Sequence, residues 1–252
     1  MKNKIHNQIR ILNYITSTDK FKGLFFLEFI VAFYASLVLS ASTNNYIDSI
    51  LVAFQFNIFN IILFSLFFLN TLNTCSVFKY DFSFYIIRLK DRKNYIKEVI
   101  KNIILVNIFY MLLFLLIYFS SLLIVKNDFT FHNYATYEIN NFIYILYYLF
   151  RYFVILLSTS VFVGLIYLNF ETIITFITGL LILSEFMIGV TRIYPKDYYD
   201  LSLWNLLSAE YFSNIKKDFI SSVLVIIILQ ILNIIVYKLS RVNKKMEILW
   251  NI

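Results

Sequence analysis

One cysteine, one proline and four glycines in 252 residues set the first limits on this chain. With Cys75 alone, an internal disulfide is impossible. His6 and His132 stand far apart and read as solvated side chains, too few for a zinc site. Gly23, Gly164 and Gly179 are each followed by leucine and Gly189 by valine, so no Gly-Lys step exists. A phosphate-cradling Walker loop is therefore absent, because its backbone N–H groups need that glycine-rich turn and its lysine. HExxH and GxSxG are missing as well. The expectation is a chain that is not an enzyme by itself, with no catalytic, metal or cofactor site of its own.

Charge is scarce too, at 15% of residues, against 60% hydrophobic, with 28 Phe and 20 Tyr. A soluble domain of this length cannot hide that much apolar surface in one core, so the excess is expected to face lipid. The net charge of +7 sits beside apolar runs. Anionic lipid headgroups are the simpler partner for it than nucleic acid.

The apolar runs predict an all-α, polytopic membrane protein with six transmembrane helices and both termini cytoplasmic. The expected spans are residues 24–41, 51–69, 103–125, 150–168, 172–190 and 219–237, all in one permease domain covering 1–252. Residues 1–22 place Ile5, Ile9, Leu12 and Ile15 at helical spacing among lysines. They read either as an amphipathic helix on the inner membrane face or as a partly disordered basic tail. Residues 42–51 and 126–141 read as outer loops. The fourth apolar run, 142–168, exceeds one untilted crossing; its membrane helix is expected to begin near Phe150, with 137–149 along the interface. In the long outer connection, Leu201, Trp204, Leu207, Tyr211, Phe212 and Ile215 follow helical spacing behind Asp200, a suitable N-cap.

The densest basic stretch lies between the second and third spans. Lys79, Arg88, Lys90, Arg92, Lys93, Lys97 and Lys101 are seven of the chain's 22 Lys+Arg. The positive-inside bias puts this loop in the cytoplasm. Inner segments then carry sixteen Lys+Arg, outer loops carry Lys126, Arg192, Lys196, Lys216 and Lys217, and Arg151 is intramembrane. Phe82, Tyr85, Ile86 and Leu89 form one apolar helical face within the loop, and Ile96, Val99, Ile100 and Ile103 resume the pattern into the next run. The loop is either an interfacial segment held by headgroups or a short helix that docks into another protein.

Few polar groups fall inside the spans. Asn57 and Asn60 share a face, as do Gln230 and Asn233. They serve either as interhelical hydrogen-bonders or as the lining of a substrate path. Arg151 and Glu185 are the charges most clearly set in apolar surroundings, and a charge alone there is costly. An ion pair between them, tying spans four and five, offsets that cost. A role in gating or substrate contact is the alternative, and snorkelling satisfies Arg151 without a partner.

Six spans, both ends inside, a basic loop after span two and an outer helical connection before span six resemble the membrane subunit of an ABC-2 type transporter. The segment from Arg88 to Lys97, RLKDRKNYIK, is similar to the basic stretch that follows the coupling helix in that family. The topological likeness covers the whole chain, while glycine is scarcer here. The resemblance implies ATPase-coupling residues at Asp81, Phe82, Tyr85, Ile86, Arg88 and Leu89. It implies a second copy of this chain and a separate ATPase subunit that binds ATP and Mg. The Ile-, Asn-, Lys- and Tyr-rich usage looks like that of a low-GC Gram-positive bacterium, hence a bacterial plasma membrane. Within the family the chain resembles permeases that export amphipathic toxin peptides such as phenol-soluble modulins and protect the producer. Permeases for antimicrobial-peptide or lantibiotic immunity look similar. A membrane scaffold or assembly factor with no transport path is a reading from another class.

Overall fold

The computed structural model describes residues 2–38, 45–55, 57–80, 92–126, 128–131, 133–134, 139–170, 174–182 and 215–242. The described chain is almost entirely helical: α1 Lys2–Ser17, α2 Asp19–Leu37, α3 Tyr46–Gln55, α4 Asn57–Tyr80, α5 Arg92–Val125, α6 Asn141–Asn169, α7 over 174–182, and α8 Ile215–Val242. A small antiparallel hairpin, β1 Asn133–Tyr134 and β2 Ile139–Asn140, leads into α6.

Among the described residues four helices are long and apolar enough to cross a membrane: Ile58–Lys79, Lys93–Val125, Asn141–Asn169 and Ile215–Leu239. Leu112, Leu116 and Ile124 on α5 are exposed, as are Ile220, Ile227, Ile231 and Ile234 on α8. Such continuous outward apolar faces suit a lipid solvent. The combination is that of a helical membrane protein.

Local signals set the helix ends. Thr18 separates α1 from α2: its hydroxyl oxygen accepts from the Phe21 N–H at 3.3 Å, and Asp19 follows in the first turn. Asn140 caps α6 in the same way, accepting from the Phe142 N–H at 3.0 Å. α6 therefore runs unbroken from Asn141, not from near Phe150. The wide tyrosine-lined face explains why: Tyr144, Tyr148 and Tyr152 recur every fourth residue and are all buried.

The expected second span, 51–69, is two elements. α3 ends at Gln55 and α4 begins at Asn57. Asn60 reaches back to donate to the Phe54 carbonyl at 2.8 Å, satisfying an acceptor that the end of α3 leaves free. α4 then continues to Tyr80, so the membrane-length helix lies later in the chain than expected. Residues 46–51, expected in an outer loop, are the first turns of α3, with Ile47, Ile50, Leu51 and Phe54 in the core. Asn45 fixes this helix to the segment after α5, donating to the Thr130 carbonyl at 2.8 Å.

On α1 Ile11 and Ile15 are buried and Leu12 packs partly against the core, while Ile9 is exposed. α1 lies against α2 and α5, so Ile11 joins Leu12 and Ile15 on the packed face. At the start of α5, Ile96, Val99 and Ile103 of the expected stripe are buried and Ile100 is half-buried, and Tyr95 is buried beside them.

Cross-helix contacts fix the relative directions. α4 and α5 run antiparallel, with Phe59 on Phe114, Phe67 on Tyr110 and Phe78 on Tyr95. α4 and α6 run parallel, joined by Asn60 with Tyr152 and by Cys75 with Gly164. α6 and α8 also run parallel, because Arg151 meets Asp218 while Ser158 meets Gln230 and Asn233 further along both helices. The chain between α6 and α8 therefore returns to the end from which α6 started, and α7 lies in that return.

Candidate functional site

α6 is the hub of the described bundle, packing on α8, α4, α5 and α3. The polar side chains that face it form a seam along its length.

Near its first third Arg151 is buried and bonded through Nη1 to the Asp218 carboxylate, itself buried in the first turn of α8. The guanidinium carbon lies 4.9 Å from the Tyr148 ring centroid and 5.8 Å from that of Tyr147. Two aromatic faces and a carboxylate thus surround the cation in place of water. Glu185, the carboxylate expected here, lies outside the described residues, and the acid found against Arg151 is Asp218. Asp218 stands one residue ahead of the expected sixth span, 219–237. The readable signal was an acid immediately before an apolar run, but no spacing rule links it to Arg151.

One residue on, Tyr152 donates its hydroxyl to the Asn60 Oδ1 at 3.0 Å. With its bond to the Phe54 carbonyl, Asn60 joins α3, α4 and α6. Asn57 is the first residue of α4, and its side chain lies outside the described set. Two turns below Arg151, Ser158 receives two donors from α8. Gln230 Nε2 reaches its hydroxyl at 2.9 Å and Asn233 Nδ2 its carbonyl at 3.1 Å. Asn60, Gln230 and Asn233 are thus all engaged between helices. Further along, the Cys75 thiol lies 3.9 Å from the Gly164 carbonyl, where α6 has no side chain.

A second polar cluster ties α4 to α5. Asn70 Nδ2 donates to Asn107 Oδ1 at 3.0 Å, and Asn107 Nδ2 donates to Thr71 Oγ1 at 3.0 Å. Sequence reading missed this cluster, whose asparagines sit in apolar runs. Asn73 adds a bond to Thr18 at 3.3 Å, holding the α1–α2 junction against α4.

The expected coupling residues, Asp81, Phe82, Tyr85, Ile86, Arg88 and Leu89, lie outside the described residues. Among the described residues no group of three or more His, Cys, Asp or Glu side chains could hold a metal ion. The seam offers fixed neutral hydrogen-bonders and one buried ion pair, which hold and orient helices.

No protein-family model, no curated protein and no solved structure matches this chain. The class to which the fold points is a helical protein with four candidate membrane-spanning helices among the described residues.

Proposed function

We propose that this chain is the membrane subunit of an ATP-driven ABC exporter, resident in a bacterial plasma membrane, whose cargo is an amphipathic peptide of the phenol-soluble modulin kind. In this reading two copies of the chain associate with a separate ATPase that binds ATP and Mg. The segment from Asp81 to Leu89 docks on that ATPase. The observation that carries the reading is the concentration of seven Lys and Arg between 79 and 101, next to helices of membrane length. It supports one inner surface of a size a soluble subunit can use. The alternating directions of α4, α5 and α6, with α8 parallel to α6, are compatible with six passes and both termini inside. A membrane path with few charges favours a cargo that partitions to the interface itself.

The experiment purifies the chain with the proteins that bind it and measures ATP hydrolysis in lipid. Amphipathic helical peptides are expected to raise hydrolysis, and peptides of the same composition with a scrambled apolar face to raise it much less. Equal stimulation by both excludes this cargo. Stimulation confined to lantibiotics or host antimicrobial peptides assigns the chain to immunity instead.

A scaffold without transport is favoured by one observation. Asn60, Gln230 and Asn233 already hold neighbouring helices. Isolation without any ATPase subunit decides for that reading.

A further inference from the structure

Glu28 stands apart from every interaction described so far. It lies on the buried stripe of α2 with Phe21, Ala32 and Ala35. Its relative exposure is 0%, and neither carboxylate oxygen has a hydrogen-bond partner among the described residues. Six residues separate it from Lys22, about 9 Å along a helix, so the side chain lies well inside the packed length of α2.

Among the described residues no counter-charge is found against Glu28. On α5, Tyr110 is within electrostatic reach of Glu28, but its hydroxyl donates to the Leu24 carbonyl at 2.9 Å, one turn earlier on α2. On α4, Lys79 lies over the Tyr167 ring and Cys75 points to Gly164. On α3, Asp48 accepts from Asn141 at 3.2 Å, and on α1, Arg10 is exposed. On α2 itself, Lys22 pairs with Asp19. An ionised carboxylate stripped of water, donors and cations is far more costly than a neutral acid with an unmade bond. A bound metal cation would need several oxygen ligands converging there, and the described residues offer no acidic cluster.

We propose that Glu28 is a proton-binding site at the junction of α2 with α4 and α5. While α2 is packed, the side chain is a neutral carboxylic acid. When α2 separates from α4 and α5 and water enters, the O–H bond ionises, the electron pair stays on the carboxylate and the proton leaves to solvent. Packing of α2 is thereby linked to pH. This holds whether or not the chain is an exporter subunit.

The test uses the full chain in lipid nanodiscs, with glutamate labelled in carbon-13. Infrared spectra at neutral pH are expected to show the C=O stretch of a protonated acid, shifted by the label and lost in Glu28→Gln. Should that variant fail to fold, Glu28→Asp keeps an acid but moves it to an unlabelled residue type, so the label-dependent band is lost. Thermal unfolding supplies a second readout. A native state that binds one more proton than the unfolded state loses stability as pH rises. The midpoint of Glu28→Gln is therefore expected to exceed that of the wild type by a margin that grows with pH. A neutral-pH spectrum with no protonated-acid band assignable to residue 28 overturns the proposal. So does a midpoint difference that is independent of pH, or a carboxylate band at residue 28 that responds to added metal cations.

Discussion

Arg151 on α6 and Asp218 on α8 form an ion pair with both side chains buried, roofed by Tyr147 and Tyr148. Removing one partner leaves the other charge buried and uncompensated. Arg151→Met or Asp218→Asn alone is expected to cost about 3–5 kcal/mol. The double variant Arg151→Met/Asp218→Asn removes both charges and is expected to cost clearly less than the sum. Unfolding midpoints of the four proteins in one detergent give the coupling. Additive losses would show that the pair does not join α6 to α8.

At Gly164 α6 runs close to side chains of α4 and α5. A Cβ built there would clash with Ile103 Cδ1 and meet Cys75 Sγ at 3.3 Å. The nearest atom is the end of a flexible side chain, so Gly164→Ala is expected to be tolerated at a cost of about 1–3 kcal/mol. Ile103→Val removes the clashing methyl, and the combination is expected to recover part of that loss. The measurement is the thermal midpoint of each variant. A double variant no better than Gly164→Ala alone would mean that the contact is limited by backbone instead.

Asn60 bonds both the end of α3 and Tyr152 of α6. Asn60→Leu leaves the Phe54 carbonyl and the Tyr152 hydroxyl without this partner, while Tyr152→Phe deletes only one bond. Asn60→Leu is expected to cost about 1–3 kcal/mol and Tyr152→Phe about 1 kcal/mol. Chemical denaturation in mixed micelles ranks them. A larger loss for Tyr152→Phe would mean that the Tyr152 hydroxyl stabilises the bundle by more than its bond to Asn60.

These residues show why part of the fold was legible and part was not. Long apolar runs and a shortage of helix breakers make helices readable, and the helix α5 ends at Val125, where its apolar run ends. The break between α3 and α4 was hidden because no glycine or proline marks it. It depends on Asn60 folding back six residues, a tertiary choice that apolar periodicity does not register. The early start of α6 was hidden for the converse reason. Tyrosines that suit a membrane interface instead pack into the core once Asn140 caps the helix. Asp218 was masked by its position at the edge of a run, where an acid normally meets water.

The sidedness inferred from the basic loop can be tested on α5 with little background. Cys75 is the only cysteine and is buried against Gly164, so a membrane-impermeant maleimide is expected to leave the wild type unlabelled in intact cells. α5 extends 34 residues, about 51 Å at 1.5 Å per residue. That exceeds a whole bilayer with its headgroups, about 40–45 Å, so both ends of α5 should emerge if it crosses. Asn94 near one end and Asp128 just beyond the other are exposed. Asn94→Cys is expected to react only after the cells are opened, and Asp128→Cys to react from outside. Ser83→Cys, in the basic loop, is expected to behave like Asn94→Cys. Labelling of Asn94→Cys and Ser83→Cys from outside, with Asp128→Cys protected, would invert the orientation and remove the cytoplasmic docking surface on which the exporter reading depends. Equal reactivity of Asn94→Cys and Asp128→Cys from outside would mean that α5 does not cross the membrane at all.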